Sequence, residues 1–248
     1  MEQEWRRLAF CRPQIEDLFV NLAAGRVAGR SGRPFTDPAT LSSVNTLAIL
    51  RGLADDLRPE ATLEVGLALG ASALALASSL ADRGVRPAGQ HLAIDPFQRA
   101  AFDDVGRLSV ERAGLAPYVE VIEEPSALVL PRLVAAGRRF GIVYVDGSHL
   151  HENVFVDCYY AVQLLAPGGA LVMDDAPHPH VAPVVRFLRR SWREALEPLD
   201  LWRYRAAGGG KLARARYRLA GLIGKTQVVA FRRTAAALRG EEAARGAV

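Results

Sequence analysis

Two short stretches carry the residue types that do chemistry: Asp146-Gly147-Ser148-His149 and Asp174-Asp175. Each follows an apolar run, Ile142–Val145 and Ala170–Met173, of the length and composition of a buried strand. Neighbouring parallel strands would bring Asp146, Asp174 and Asp175 to one mouth of a sheet. Three carboxylates there repel, so one must hold a proton or the group must bind a cation. Oxygen ligands suit Mg²⁺, Ca²⁺ or Mn²⁺ better than Zn²⁺, with Mg²⁺ the expected ion. In the competing reading Asp146 holds a cofactor or a helix, and Asp174 and Asp175 cap. His149, three residues past Asp146, is placed to act as a general base, with metal ligation or a structural role as its other uses. His178 and His180 follow in the proline-stiffened run Asp175-Ala176-Pro177-His178-Pro179-His180, a rim for contact with substrate or metal.

A second group surrounds the first strand, in Glu64-Val65-Gly66-Leu67-Ala68-Leu69-Gly70-Ala71-Ser72. Gly66 permits a tight turn, and Gly70 permits close approach to a helix N-terminus whose free N–H groups suit an anion. Ser72 adds a hydroxyl. The G-x-x-x-G spacing departs from the G-x-G-x-x-G of nicotinamide enzymes, which disfavours a dehydrogenase. Asp95 ends the next strand, where an acid can accept both hydroxyls of a ribose. Glu124-Pro125-Ser126 ends the third, beside the place an adenine would take, although Ser126 has an equal use as a helix cap. Together these point to an adenosine-bearing cofactor.

Such residues need a scaffold of alternating strands and helices. Strand-like runs at Thr62–Val65, His91–Ile94, Tyr118–Ile122, Ile142–Val145 and Ala170–Met173 are separated by helical patterns at Ala71–Arg83, Arg99–Ala113, Ser126–Ala136, Glu152–Leu165 and Val181–Leu196. Five strand–helix units imply a parallel sheet with helices on both faces. Leu199–Arg205 and Thr226–Arg233 then read as an antiparallel pair with no helix of similar quality between them. The expectation is an α/β, Rossmann-like, doubly wound, mostly parallel seven-stranded sheet closed by that pair. Residues 1–40 read as a helical N-terminal extension, 41–234 as the main domain and 235–248 as a flexible tail. Within the extension Ile15, Leu18, Phe19 and Leu22 recur at helical spacing, and Asp37-Pro38 marks the next helix start.

The chain has 248 residues, 50% of them hydrophobic and 23% charged, which excludes a disordered protein. Cys11 and Cys158 cannot build a disulfide framework. There is no signal-peptide pattern and no run long enough to span a bilayer, so a cytoplasmic location is expected. The net charge of +4 is carried almost wholly by arginine, Lys211 and Lys225 being the only lysines. The dense basic stretch, Lys211–Arg218, reads as a solvated loop or helix face, with an anionic partner as the alternative.

With these residues in place the chain resembles the class I S-adenosylmethionine-dependent methyltransferases. Within them it looks most like the cation-dependent O-methyltransferases of the catechol-type and antibiotic-tailoring groups. The resemblance rests on TLEVGLALGAS and on GIVYVDGSHLHENVFVDCYYAVQLLAPGGALVMDD, and spans Leu41 to Arg233. It implies that Glu64, Gly66, Leu67, Gly70 and Ser72 hold the methionine part of S-adenosylmethionine, Asp95 its ribose and Ser126 its adenine side, with Asp146 also on the cofactor. It implies Asp146, Asp174 and Asp175 as metal ligands, Asp146 and His149 as catalytic, and a small-molecule acceptor such as a catechol, a sugar or a natural-product intermediate. Catechol-type members place a lysine where His149 stands. Expected partners are that acceptor and, through the N-terminal helices, a second copy of the chain, but neither membrane nor nucleic acid. An RNA methyltransferase using residues 211–218 and a catalytically silent cofactor-binding protein are the alternatives; no Asn/Asp-Pro-Pro-Tyr run supports the first.

Overall fold

The computed structural model describes residues 13–37, 40–206 and 209–236. Cys11, Pro38, Gly208 and all but the first two positions of the expected tail lie outside them. The chain opens with α1 (Pro13–Ala23), a short antiparallel ribbon of β1 (Val27–Ala28) and β2 (Pro34–Phe35), and α2 (Val44–Leu57). There follow β3 (Thr62–Val65), α3 (Ala71–Asp82), β4 (His91–Ile94), α4 (Val105–Arg112), β5 (Val119–Ile122) and α5 (Ser126–Ala135). Next come β6 (Phe140–Val145), α6 (His151–Leu164), β7 (Leu165–Met173), α7 (Ala182–Ser191), β8 (Leu196–Pro198), α8 (Lys211–Leu222) and β9 (Val229–Arg233).

Seven strands form one sheet in the order β5-β4-β3-β6-β7-β9-β8. The first five are mutually parallel, β9 runs antiparallel to β7, and β8 is antiparallel to β9. The expected architecture is therefore the observed one. One face packs Leu63, Val65, Val143, Val145, Leu171 and Met173 against α5, α6 and α7. The other packs Ile142, Tyr144 and Val172 against Ile49, Leu50 and Leu53 of α2 and Leu76 of α3. A third cluster joins Ile15, Leu18 and Leu22 of α1 to Leu69 and Leu74, so the N-terminal helix is built into the domain.

Several boundaries differ from the pattern, each for a local reason. The helix expected from Asp37-Pro38 starts at Val44, because Ser43 caps it by accepting from the Thr46 N–H at 3.1 Å. The helix expected over Arg99–Ala113 begins only at Val105. Asp103 and Asp104 before it have φ of 48° and 60°, and their carboxylates are bound by Ser31 and Arg30 of the N-terminal ribbon. The strand expected over Leu199–Arg205 lies earlier, at Leu196–Pro198. Proline then removes a ladder donor, and Asp200 accepts from the Trp202 N–H at 3.0 Å to form a turn. Between the last strands stands α8, where the pattern left a loop or a helix face open.

Inside α6 the buried Asp157 faces the Ser126 hydroxyl. Burial pushes its carboxyl up to about 6, with Ser126 acting against the shift. A folded-state value above the unfolded one means the native protein binds more protons between about pH 4 and 6, so stability falls as pH rises through that window. Asp157→Asn removes the penalty. Its Tm should rise near pH 8 by about 3–8 °C, from roughly 1–3 kcal/mol, and should match wild type below about pH 4. Melting curves at the two pH values check this; a shift of equal size at both would show that the carboxyl's charge is not the cause.

Candidate active site

The order of the parallel strands reverses between β3 and β6, and that is where ligands bind in open α/β sheets. Val65 pairs with Ile94 and with Val145, and Val145 pairs with Met173. The register therefore sets Gly66, Asp95, Asp146 and Asp174 side by side at one mouth. Gly66 has φ of 95°, and a Cβ there would lie 2.3 Å from the Asp146 carbonyl oxygen. Gly70, with φ of 90°, is the N-cap of α3 and supplies no side-chain cap, so the first amides of α3 remain available to an anion.

Asp95 braces this turn. Its Oδ2 accepts from the Leu67 N–H at 3.2 Å, the Ala68 N–H at 2.9 Å and the Gln98 amide at 2.8 Å, while Oδ1 accepts from the Phe97 N–H. The acid expected to take ribose hydroxyls thus has its main bonds inside the protein. Glu64, Leu67 and Ser72 are buried around the loop. Glu64 is fully buried, with Oε1 3.3 Å from His91 Nε2 but no aligned hydrogen bond to either oxygen. It is a buried carboxylate without an aligned donor, two residues before Gly66. Ser126 opens α5 and is engaged with Asp157.

The carboxylates divide. Asp174 turns inward, its Oδ2 accepting from Thr46 of α2 at 3.1 Å and from the Tyr144 hydroxyl at 3.0 Å. Asp146 Oδ2 lies 2.8 Å from the same hydroxyl. The one phenolic proton is shared between two oxygens, each with a second hydroxyl beside it: Ser42 reaches Asp146 Oδ2 at 3.4 Å, and Thr46 serves Asp174. Burial, reinforced by the charge of Asp174, pushes Asp146 up to about 8, and burial also raises Asp174. At neutral pH the uncomplexed pair accordingly retains a proton. The atoms that converge outward are those of Asp146, His149 and Asp175, all within 4.8 Å of one another. The gathered set thus has His149 where Asp174 was expected. Two carboxylates and an imidazole fit a divalent cation, and the nitrogen widens the choice beyond Mg²⁺.

His149 Nε2 is 2.7 Å from Asp175 Oδ2, and Gln227, just ahead of β9, donates to Asp175 Oδ1. Rings of His149 and His178 are 5.1 Å apart, and those of His178 and His180 are 5.6 Å apart. His151 Nδ1 lies 3.2 Å from the His180 carbonyl oxygen. His178 and His180 thus lie in a row of rings beside His149. Tyr144, Thr46, Ser42 and Gln227 escaped the sequence reading. Tyr144 alone left a trace, a hydroxyl within an apolar strand two residues before Asp146.

A glycine turn at the switch point, an acid behind it and carboxylates on the next two strands sit on a seven-stranded sheet with the Rossmann-like topology seen in methyltransferase folds. Residues 63–176 match the family model described as a methyltransferase domain. A catechol O-methyltransferase of Mycobacterium tuberculosis is 32% identical over 123 residues, 50% of this chain and 51% of that protein. The match thus spans about half the length of that curated relative. In fold the chain is similar to the O-methyltransferase from Bacillus cereus in complex with SAH (TM-score 0.58, 19% identity, 80% of this chain and 91% of that one). It is likewise similar to the O-methyltransferase TomG from Streptomyces achromogenes, involved in tomaymycin synthesis and solved with SAM (TM-score 0.59, 21% identity, 88% and 89%). Residues 63–176 thus resemble a methyltransferase domain, and the fold is similar to that of O-methyltransferases.

Proposed function

We propose that this protein transfers a methyl group from S-adenosylmethionine to a hydroxyl of a small molecule, assisted by a divalent cation. The observation that carries the reading is the convergence of Asp146, His149 and Asp175 beside the Gly66 turn. The family match and the methyltransferases of like fold support it. When bound, the cofactor supplies an activated methyl group and the cation lowers the pKa of an acceptor hydroxyl.

The chain's own residues do the rest. The uncapped start of α3 offers N–H groups to the carboxylate of the cofactor, on a turn whose own amides at Gly66, Leu67, Ala68 and Gly70 are bonded within the protein. Glu64, the buried carboxylate two residues before Gly66, complements its ammonium group. Asp146 and Asp175 would hold the cation, with Asp174 and Tyr144 fixing Asp146 from behind. His149 donates from Nε2 to Asp175, leaving Nδ1 as the basic nitrogen, half exposed at the mouth and able to take the acceptor's proton. His178 and His180 border the acceptor.

Calorimetric titration with S-adenosylhomocysteine, with Mg²⁺ or EDTA present and NAD as control, tests the cofactor. Binding of the nucleoside and not of NAD is expected; failure to bind it in either condition overturns the reading. His149→Ala then separates base from ligand. As a base its loss should lower turnover by about 10²–10⁴-fold and leave Mn²⁺ affinity within about threefold. A parallel loss of Mn²⁺ binding would make it a ligand instead.

A further inference from the structure

Helix α8 presents an apolar stripe to solvent. Leu212, Leu219, Leu222 and, at its C-cap, Ile223 are 73%, 58%, 80% and 58% exposed. At 3.6 residues per turn they fall within an arc of about 100°. Arg216 borders that arc on one side and Lys211 on the other, and Lys225 follows the last turn. Among the described residues none of these three cations has an acidic partner. The opposite face seats the helix: Tyr217 stacks on Trp202 at 5.6 Å and receives the Arg205 guanidinium at 4.8 Å, while Arg214 and Arg218 bind Asp200. Beneath it lies a cavity of about 500 Å³ lined in part by Leu201, Tyr217, Val228 and Ala230. The inner anchor thus holds a helix whose outer face has no partner among the described residues.

We propose that α8 docks the protein on an anionic lipid surface, lying along it with the leucines inserted and Lys211, Arg216 and Lys225 at the headgroups. An outward apolar stripe flanked on both sides by cations is the arrangement that favours an interface plane over a protein groove. Charge complementarity selects the occupant. No acidic residue occurs from Leu201 to Ala236, so a second copy laid stripe to stripe would bring cations against cations. No described helix is long and apolar enough to cross a membrane, and none is needed here. The chain leaving α8 reaches Gln227, which donates to Asp175, so a short segment links the C-terminal end of the helix to the mouth of the sheet.

Cosedimentation of the full chain with phosphatidylcholine vesicles, and with equimolar phosphatidylcholine and phosphatidylglycerol vesicles, tests this. Anionic vesicles should bind at least about tenfold more tightly than neutral ones, and less so as salt is raised. The double variant Leu219→Glu, Leu222→Glu should lose about 10²-fold in affinity, and Arg216→Gln with Lys225→Gln about 30-fold. Both retain the Tyr217 and Asp200 contacts, and unchanged circular dichroism and melting show that they fold. Equal binding to both vesicle types, or full binding by the leucine double variant, overturns the proposal. So does a dimer in sedimentation velocity that this variant converts to monomer, which would assign the stripe to a second copy.

Discussion

Asp146→Asn should reduce methyl transfer by about 10³-fold or more, while making the metal-free protein more resistant to heat. The loss follows from removing a charged oxygen at the point where Asp146, His149 and Asp175 converge, and with it much of the hold on a cation that would lower the acceptor hydroxyl's pKa, an effect worth several kcal/mol. The gain follows from the neighbours. Asp146 and Asp174 contact one Tyr144 hydroxyl at 2.8 and 3.0 Å, and burial raises both carboxyls. Because the folded-state value of Asp146 is raised to about 8, its contribution to stability is present below the unfolded value near 4 and lost as pH rises to 8. Asparagine keeps the shape and removes the charge, so the Tm difference should widen from acid to pH 8. Calorimetry with Mn²⁺ should show binding weakened by about 30-fold or more, as expected when a ligating charge is deleted. Undiminished Mn²⁺ affinity together with wild-type turnover on a catechol acceptor would remove Asp146 from the site.

Gly66→Ala should disable the protein at a different level. The backbone there has φ of 95°, and the added methyl would meet the Asp146 carbonyl oxygen at 2.3 Å. Left-handed strain and backbone overlap together cost roughly 3–5 kcal/mol, or a fall in Tm of about 6–20 °C, with loss of S-adenosylhomocysteine binding. Gly84→Ala is the control. Its φ is 69° but no atom lies within 4 Å of the new methyl, so only the strain of about 1 kcal/mol remains. Equal melting of the two variants would contradict the close approach of β3 and β6.

Much of this arrangement was readable in the residues. Buried strands announce themselves as short apolar runs, and the register of parallel neighbours then places whatever follows them, which is why Gly66, Asp95, Asp146 and Asp174 meet as expected. Side-chain direction was not readable. Asp174 and Asp175 are adjacent, yet one turns into the fold toward Thr46 and the other, with φ of 50°, turns out toward His149. Nothing in their spacing distinguishes them, because the choice depends on a threonine 128 positions away. Asp95 shows the same limit: its position was right, but its bonds to Leu67 and Ala68 come from a loop whose shape it helps to impose. Helix α8 was legible only as a loop or helix face, because none of its residues is fully buried and its outward leucines blur the amphipathic pattern.

The placement of β9 between β7 and β8 has a consequence for synthesis. β8 is made first but has no direct neighbour in the sheet other than β9. Until Val229–Arg233 has left the ribosome, the growing chain carries β7 with one unpaired edge, and Leu171 and Met173 lack Phe231 and Val229 as partners. That edge is a template for pairing with another nascent chain. Chains interrupted anywhere between Met173 and Val229 should therefore aggregate, even though the glycine turn, the carboxylates and His149 have all been made.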